Sequence, residues 1–397
     1  MAMVGGAASA QLLPAMPGIG ELTPALRPVT DAVAHVSERG ARALEALRLD
    51  RVSALVRRYP DRIVRDPQGF AARAGELVLT EPDAATVAAA IQRGYRVIES
   101  GDLLGVGFTR LAAPPGRGLA AAFRELRRLG ARDVAADQLH SESGVTAARA
   151  FTTATPNPPD TATPRVGVID GGVDGVVDQR GFAIGAPRTS AHGSAVASLI
   201  AGRGLVRGAA PGARLVVADV YGTDPAGGNA TAIAKALAWL AGQGVSVVNV
   251  SLVGPANPLL ARVVAAAQAK GVLIVAPVGN DGPASPPSFP ASYPGVIAVT
   301  GVDARNRILI EAGRATHLDY AAPAADMLAA SADGRAAAVR GTSFAAPLVA
   351  GRLVLTYPSV NPGRRAAAIE ALDRAARPLG SRYGRGLVCD DCRTTPR

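Results

Sequence analysis

The sequence predicts an α/β protein in which a doubly wound, mostly parallel sheet follows a small α+β module. Three observations carry that expectation. From Val166 onward, short β-branched runs alternate with alanine-rich helical stretches, the pattern of strands buried on both faces. Before them, residues 76 to 139 read in the order βαββαβ, and such a module builds its own small sheet. Between the two lies a stretch rich in Ser, Thr, Pro and Ala, which reads as a linker.

Taken in order, residues 1–10 are small and apolar and close on Ala8-Ser9-Ala10, as a secretory cleavage site does, although no charged n-region precedes them. A truncated signal peptide is the reading adopted; an Ala-rich terminus is the alternative. Residues 11–72 form a helical lead-in, marked by helical spacing between Glu21 and Ile63. The module spans residues 73–140. Its strands are expected at Glu76–Leu79, Tyr95–Ile98, Leu104–Leu111 and Asp133–Leu139, its helices at Asp83–Arg93 and Leu119–Leu129. That order describes a ferredoxin-like sandwich. Residues 141–164 are the linker. The α/β domain covers residues 165–388, with strands at Val166–Ile169, Leu215–Ala218, Val245–Val250, Val272–Val275 and Val296–Val299 and helices near Ser194–Ala201, Asn229–Gln243 and Leu259–Lys270. A tail, residues 389–397, carries Cys389 and Cys392.

Composition narrows the function. With 397 residues and 48% hydrophobic content the chain can bury a large core. The net charge of +10 comes almost wholly from scattered arginines, and aromatics are only 4%, so nucleic acid is not the expected partner. No apolar run reaches the roughly 20 residues that span a bilayer. Two cysteines cannot make a four-cysteine zinc site; a local disulfide is the first reading, suited to an exported protein, and reduced thiols the alternative.

Three residue settings draw attention to chemistry. Ser343 lies in Gly341-Thr342-Ser343-Phe344-Ala345-Ala346-Pro347, at the expected start of a helix running to about Thr356, with Pro347 in the first turn where a missing N–H costs least. Alone it would read as a helix cap. Asp170 follows directly on the first α/β strand, so its carboxylate belongs at the strand's carboxyl end, where ligands of such sheets sit. His192, one of four histidines, joins a glycine turn to a small-residue helix. An Asp at a strand end, with a His and a Ser each at a helix start, is the constellation of nucleophilic catalysis.

The order Asp, His, Ser resembles that of the subtilisin-like serine proteases over most of Arg165 to Val388. Val168-Ile169-Asp170 with Gly172-Val173 resembles the aspartate motif, with Gly171 where Ser or Thr is usual. His192-Gly193-Ser194 with Val196-Ala197 resembles the histidine motif, with Ala195 where a second His is frequent. Gly341-Thr342-Ser343 with Ala345, Ala346 and Pro347 resembles the serine motif, departing at Leu348. Tyr383-Gly384-Arg385-Gly386-Leu387-Val388 resembles the closing segment.

The resemblance implies a subtilisin-like fold and peptide-bond hydrolysis through an acyl-enzyme. It makes Ser343 the nucleophile, His192 the general base and acid, and Asp170 the group orienting His192. It assigns the oxyanion hole to the Asn280 side chain and the Ser343 backbone N–H. Ser251, Leu252, Val253 and Gly254, with Gly279, fall on the substrate-binding segment, which pairs with an extended peptide; Val253, Pro277 and Val278 replace smaller residues and would narrow the primary pocket. No cofactor is required. A bound Ca2+ is compatible with the family, but no acidic calcium loop is present in the sequence. Partners are a protein or peptide substrate and the chain's own propeptide-like module, in a secreted or periplasmic precursor. A catalytically impaired, peptide-binding subtilase and an esterase on the same fold are the alternatives. Self-cleavage is expected between about His140 and Ser143.

Overall fold

The structure, a computed structural model, describes residues 29–142, 144–147, 164–333 and 335–396, with the backbone alone at 29–39 and 145–147. The expected signal segment, residues 1–10, lies outside these. The chain divides into two units, Met1–Gly40 and Ala41–Arg397. Of the first, only the start of helix α1 (Val29–Arg58) is described. The second holds everything else discussed below.

Strand β1 (Ile63–Arg65) pairs with the start of β2 (Ala71–Thr80). The helical lead-in therefore ends at Arg58, and its last residues are strand. Next come α2 (Ala84–Gln92), β3 (Arg96–Leu103), β4 (Val106–Ala112), α3 (Leu119–Arg128) and β5 (Asp133–Gln138). They build an antiparallel sheet in the spatial order β5-β2-β4-β3. Asp83 starts α2 by accepting the Thr86 N–H at 2.6 Å, a side-chain cap. Helix α3 buries Leu119, Ala122, Phe123 and Leu126, an apolar stripe at helical spacing that packs with Leu77, Leu79 and Leu111. Side chains alternate along β2. Its Val78, with Val106 and Phe108, accordingly joins the main core of the following domain, where the sheet meets helices described next.

In that domain β8 (Arg165–Asp170), β9 (Gln179–Gly181), β10 (Arg214–Asp219), β11 (Val247–Val250), β13 (Leu273–Pro277), β14 (Ile297–Val302) and β15 (Tyr320–Pro323) form a seven-stranded sheet, all parallel, in the order β15-β14-β13-β11-β8-β10-β9. Helices α4 (Ala191–Ala201), α5 (Ala230–Gly242), α6 (Pro258–Ala269), α7 (Ala346–Thr356) and α8 (Arg365–Ala375) cover it. Val166, Val168, Val248, Val275 and Val299 have no exposed surface, which is why their runs are continuous rather than alternating. Because β8 lies between β10 and β11, the winding reverses at β8, and its carboxyl end, Asp170, opens on the crevice this reversal leaves.

Short strands complete the picture: β6 (Ser141–Glu142), β7 (Val145–Ala147), β12 (Leu252–Val253), β16 (Met327–Ala330) and β17 (Ala336–Arg340). Here the linker expectation needs correction. Residues 141–142 pair antiparallel with β12, and 145–147 pair with β17. Backbone donors and acceptors offered by the two partner strands draw a Ser- and Thr-rich segment into extended structure. Residues 148–163 lie outside the described part. Cys389 and Cys392 are joined as a disulfide, their Cα atoms 5.2 Å apart.

Between module and domain, the Asp137 carboxylate accepts the Thr231 N–H at 2.9 Å near the start of α5. Asn257 Nδ2 donates to Gln138 Oε1 at 2.8 Å, and Lys235 pairs with Glu99. Asp137 has no exposed surface, and its second oxygen finds no hydrogen bond. Burial pushes its carboxyl up to about 6, against the pull of the Thr231 N–H and Arg110. A raised carboxyl favours the folded state fully below its unfolded pKa, and that contribution is lost as pH rises through about 6. Asp137→Asn keeps an acceptor for Thr231 without the charge. It is expected to raise thermal stability at about pH 7 and to gain little near about pH 4. Melting curves across that range check this; a loss at neutral pH would show the charge to be favourable.

Candidate active site

Asp170 closes β8 with no exposed surface, and the Gly171 N–H donates to its Oδ1 at 2.8 Å. Helix α4 starts at Ser190, whose hydroxyl accepts the Gly193 N–H at 2.8 Å, and this cap sets His192 in the first turn. The strand end and helix start approach so closely that a Cβ on Gly171 would lie 2.3 Å from Ser190 Oγ. Gly171, a departure from the usual motif, thus goes together with the Ser190 cap.

His192 Nδ1 stands 2.9 Å from both Asp170 oxygens, and its Nε2 stands 2.9 Å from Ser343 Oγ. With the carboxylate accepting at Nδ1–H, the other nitrogen is left to accept from the hydroxyl. Burial pulls the His192 pKa down, but the charge and hydrogen bond of Asp170, helped by Glu142, outweigh it and hold the ring above its ordinary value.

Ser343 is not a helix cap. It sits in a 3-10 turn, Thr342–Phe344, ahead of α7, in which Pro347 occupies the first turn. Gly341 enters that turn at φ 139°, a conformation that excludes most side chains. Ser251 Oγ donates to the Ser343 carbonyl at 2.9 Å and receives a hydrogen bond from Asn249 Nδ2 at 2.8 Å. The Ser343 backbone is therefore held from the sheet side by two polar groups.

Asn280 follows β13 through Gly279, at φ 87°. Its Oδ1 accepts the Thr342 N–H at 3.0 Å, which orients the side-chain amide beside the serine turn. Val253 lies on one side of the same cleft, and a Cβ on Gly279 would meet its Cγ1 at 3.5 Å, so the two face a common space. Val278 departs from expectation. It is buried in the main core, donating its N–H to the Val299 carbonyl at 3.0 Å.

The cleft is occupied by the chain itself. Ser141 pairs with Val253 and Glu142 with Leu252, and a Cβ on Gly144 would lie 2.6 Å from Ser343 Oγ. His140, 1% exposed, packs on Gly254, its N–H donating to Gly228 and its carbonyl accepting from the Tyr221 hydroxyl. Neither ring nitrogen has a hydrogen-bond partner, and burial pushes the ring down to about 4. Glu142 keeps surface to solvent, but the cleft walls desolvate its carboxyl and Asp170 and Asp219 repel its charge, so that it is pushed up to about 7 against the pull of His192.

Glu142, Asp170 and His192 offer ligand atoms within 4.8 Å of one another. Both nitrogens of His192 are already engaged, Nδ1 with Asp170 and Nε2 with Ser343 Oγ. Among the described residues the other such group includes Cys389 and Cys392, whose sulfurs are bonded to each other and so cannot act as thiolate ligands.

A profile of the subtilase family matches residues 166–377. Subtilisin BL of Lederbergia lenta is 36% identical over 239 residues, covering 56% of this chain and 88% of that protein. Among solved structures, fervidolysin from Fervidobacterium pennivorans, a keratinolytic enzyme related to subtilisin, superposes with a TM-score of 0.64 at 20% identity, covering 81% of this chain and 61% of that one. The epidermin leader peptide processing serine protease of Staphylococcus aureus gives 0.61 at 18% identity, covering 80% and 97%. The chain belongs to the subtilase family and is a subtilisin-like serine protease.

Proposed function

We propose that Ser343, His192 and Asp170 act as a catalytic triad of a serine endopeptidase. The observation that carries this is the unbroken path from Asp170 through both nitrogens of His192 to Ser343 Oγ, each step 2.9 Å. His192 takes the hydroxyl proton as Ser343 attacks a peptide carbonyl, then gives it to the leaving amine. The acyl-enzyme is released by a water that passes its own proton to the same nitrogen. Asp170 stabilises the imidazolium in between. Asn280 and the Ser343 N–H receive the oxyanion. A phosphonofluoridate should label Ser343 in processed protein and fail on Ser343→Ala; absence of labelling in active, folded protein would exclude this serine as nucleophile.

The β12 segment, residues Ser251 to Gly254 with Gly279, takes the substrate as an added strand, as β6 is taken. We read residues 73–140 as a ferredoxin-like propeptide that chaperones and inhibits the domain; the sequence puts its self-cleavage between about His140 and Ser143, and the approach of Gly144 to Ser343 Oγ leads us to move the bond to Ser143–Gly144. Export to an oxidising compartment fits the Cys389–Cys392 disulfide; among the described residues no helix is long and apolar enough to cross a membrane.

Val253, a β-branched wall beside Gly279, should exclude large aromatic residues from the primary pocket. Val253→Gly is expected to raise kcat/KM for Phe or Tyr there by about 10- to 200-fold, read from a peptide panel. A wild-type preference for aromatics would reject the assignment.

A further inference from the structure

We propose that the site selects glycine immediately after the bond it cleaves, and that Phe344 enforces the selection. This rests on the reading of Ser343 as nucleophile and adds to it a substrate class, proteins and peptides carrying a Xaa–Gly bond in extended conformation. The chain reaches the site as β6, ending at Glu142 opposite Leu252, and leaves it from Gly144 into β7. In this reading Gly144 stands on the leaving side.

A Cβ built on Gly144 would lie 2.5 Å from Phe344 Cε2, 2.6 Å from Ser343 Oγ and 3.0 Å from Phe344 Cζ. Carbon atoms in contact need about 3.5–4.0 Å. Neither neighbour can give way cheaply. Ser343 Oγ is held by His192 Nε2 at 2.9 Å, and moving it breaks the proton path. Phe344 has no exposed surface, belongs to the main core, and lies tilted against the His192 ring with centroids 5.2 Å apart. Displacing the phenyl ring therefore disturbs the base. What glycine provides at this position is space. Any larger residue must push either the nucleophile or the ring that buttresses the base, so selectivity should appear in turnover as well as in binding.

The test compares two peptides with processed wild-type enzyme, one with the sequence of residues 139–148 and one with Gly144→Ala. A p-nitroanilide ending at the residue before the bond serves as a substrate with no amino acid on the leaving side. The glycine peptide is expected to be cleaved about 10- to 100-fold faster in kcat/KM. In Phe344→Ala, or in Phe344→Leu should the first fold poorly, the ratio should fall to within about threefold, with anilide hydrolysis still measurable. Equal cleavage of both peptides by an enzyme active on the anilide overturns the proposal; so does an unchanged ratio in a folded Phe344 variant. Should neither variant fold, a wild-type digest of denatured protein decides it, by enrichment or absence of glycine after the cut. An enzyme inert on the anilide and both peptides fails at the underlying reading of Ser343, and the proposal falls with it.

Discussion

Ser343→Ala is expected to leave the precursor at full length and to lower kcat by about 10⁶, a magnitude carried over from subtilisin itself rather than derived from this geometry. Alanine fits where Ser343 is wholly buried, so the fold should survive and the loss should be chemical. His192 Nε2 would keep its position and lose its 2.9 Å partner. Gel electrophoresis and N-terminal sequencing check the first half of the expectation, with wild-type protein starting at Gly144 and the variant uncut. Processing of the variant at the wild-type rate would remove Ser343 from the reaction. A wild-type protein that stays uncut while fully active would instead sink the propeptide reading and leave the protease.

The second large effect concerns Asn280. Replacing it with Leu conserves volume and deletes the amide, which should cost about 10²–10³ in kcat, or about 2.7–4 kcal/mol, with KM little changed. That range is also known from a subtilisin. In this protein Asn280 does two things that Leu cannot: its Oδ1 accepts the Thr342 N–H at 3.0 Å, and in our reading its nitrogen donates to the oxyanion. Asn280→Asp separates them. It retains the acceptor and lacks the donor, so a loss as large as that of Leu assigns the effect to charge stabilisation, and near-normal turnover assigns it to positioning of the serine turn. A proportional rise in KM in either variant would mark an ordinary binding contact.

Much of this was legible in the residues. Parallel strands such as β8 and β13 announce themselves because burial on both faces demands unbroken β-branched runs. The positions of Asp170, His192 and Ser343 were readable because each stands at an element boundary that Gly, Ser or Pro marks locally. The turn carrying Ser343 was not. Pro347 places the start of α7, but nothing local distinguishes a preceding 3-10 turn from a cap. The strands β6 and β7 were hidden for a different reason: segments of two and three residues hold no periodicity, and their pairing is dictated by β12 and β17, far away in the chain. Nothing local in the sequence sets Phe344 or Asn249 apart from ordinary core residues. Ser190 alone left a signal, as a cap two residues ahead of the histidine.

On the reading of residues 73–140 as a propeptide, the pairing of residues 141–142 with β12 and of 145–147 with β17 changes meaning once the chain between them is cut. Before scission, occupancy of the cleft is an event within one molecule and does not depend on how much protein is present. Afterwards the strand on β12 belongs to a separate ligand, whose rebinding is governed by its concentration, while the one on β17 stays part of the enzyme. On that reading, dilution becomes the agent of activation. A concentrated store of cut molecules would stay largely silent, and the same molecules dispersed into a large volume would come on without any further chemical change, at a rate set by how slowly the module lets go.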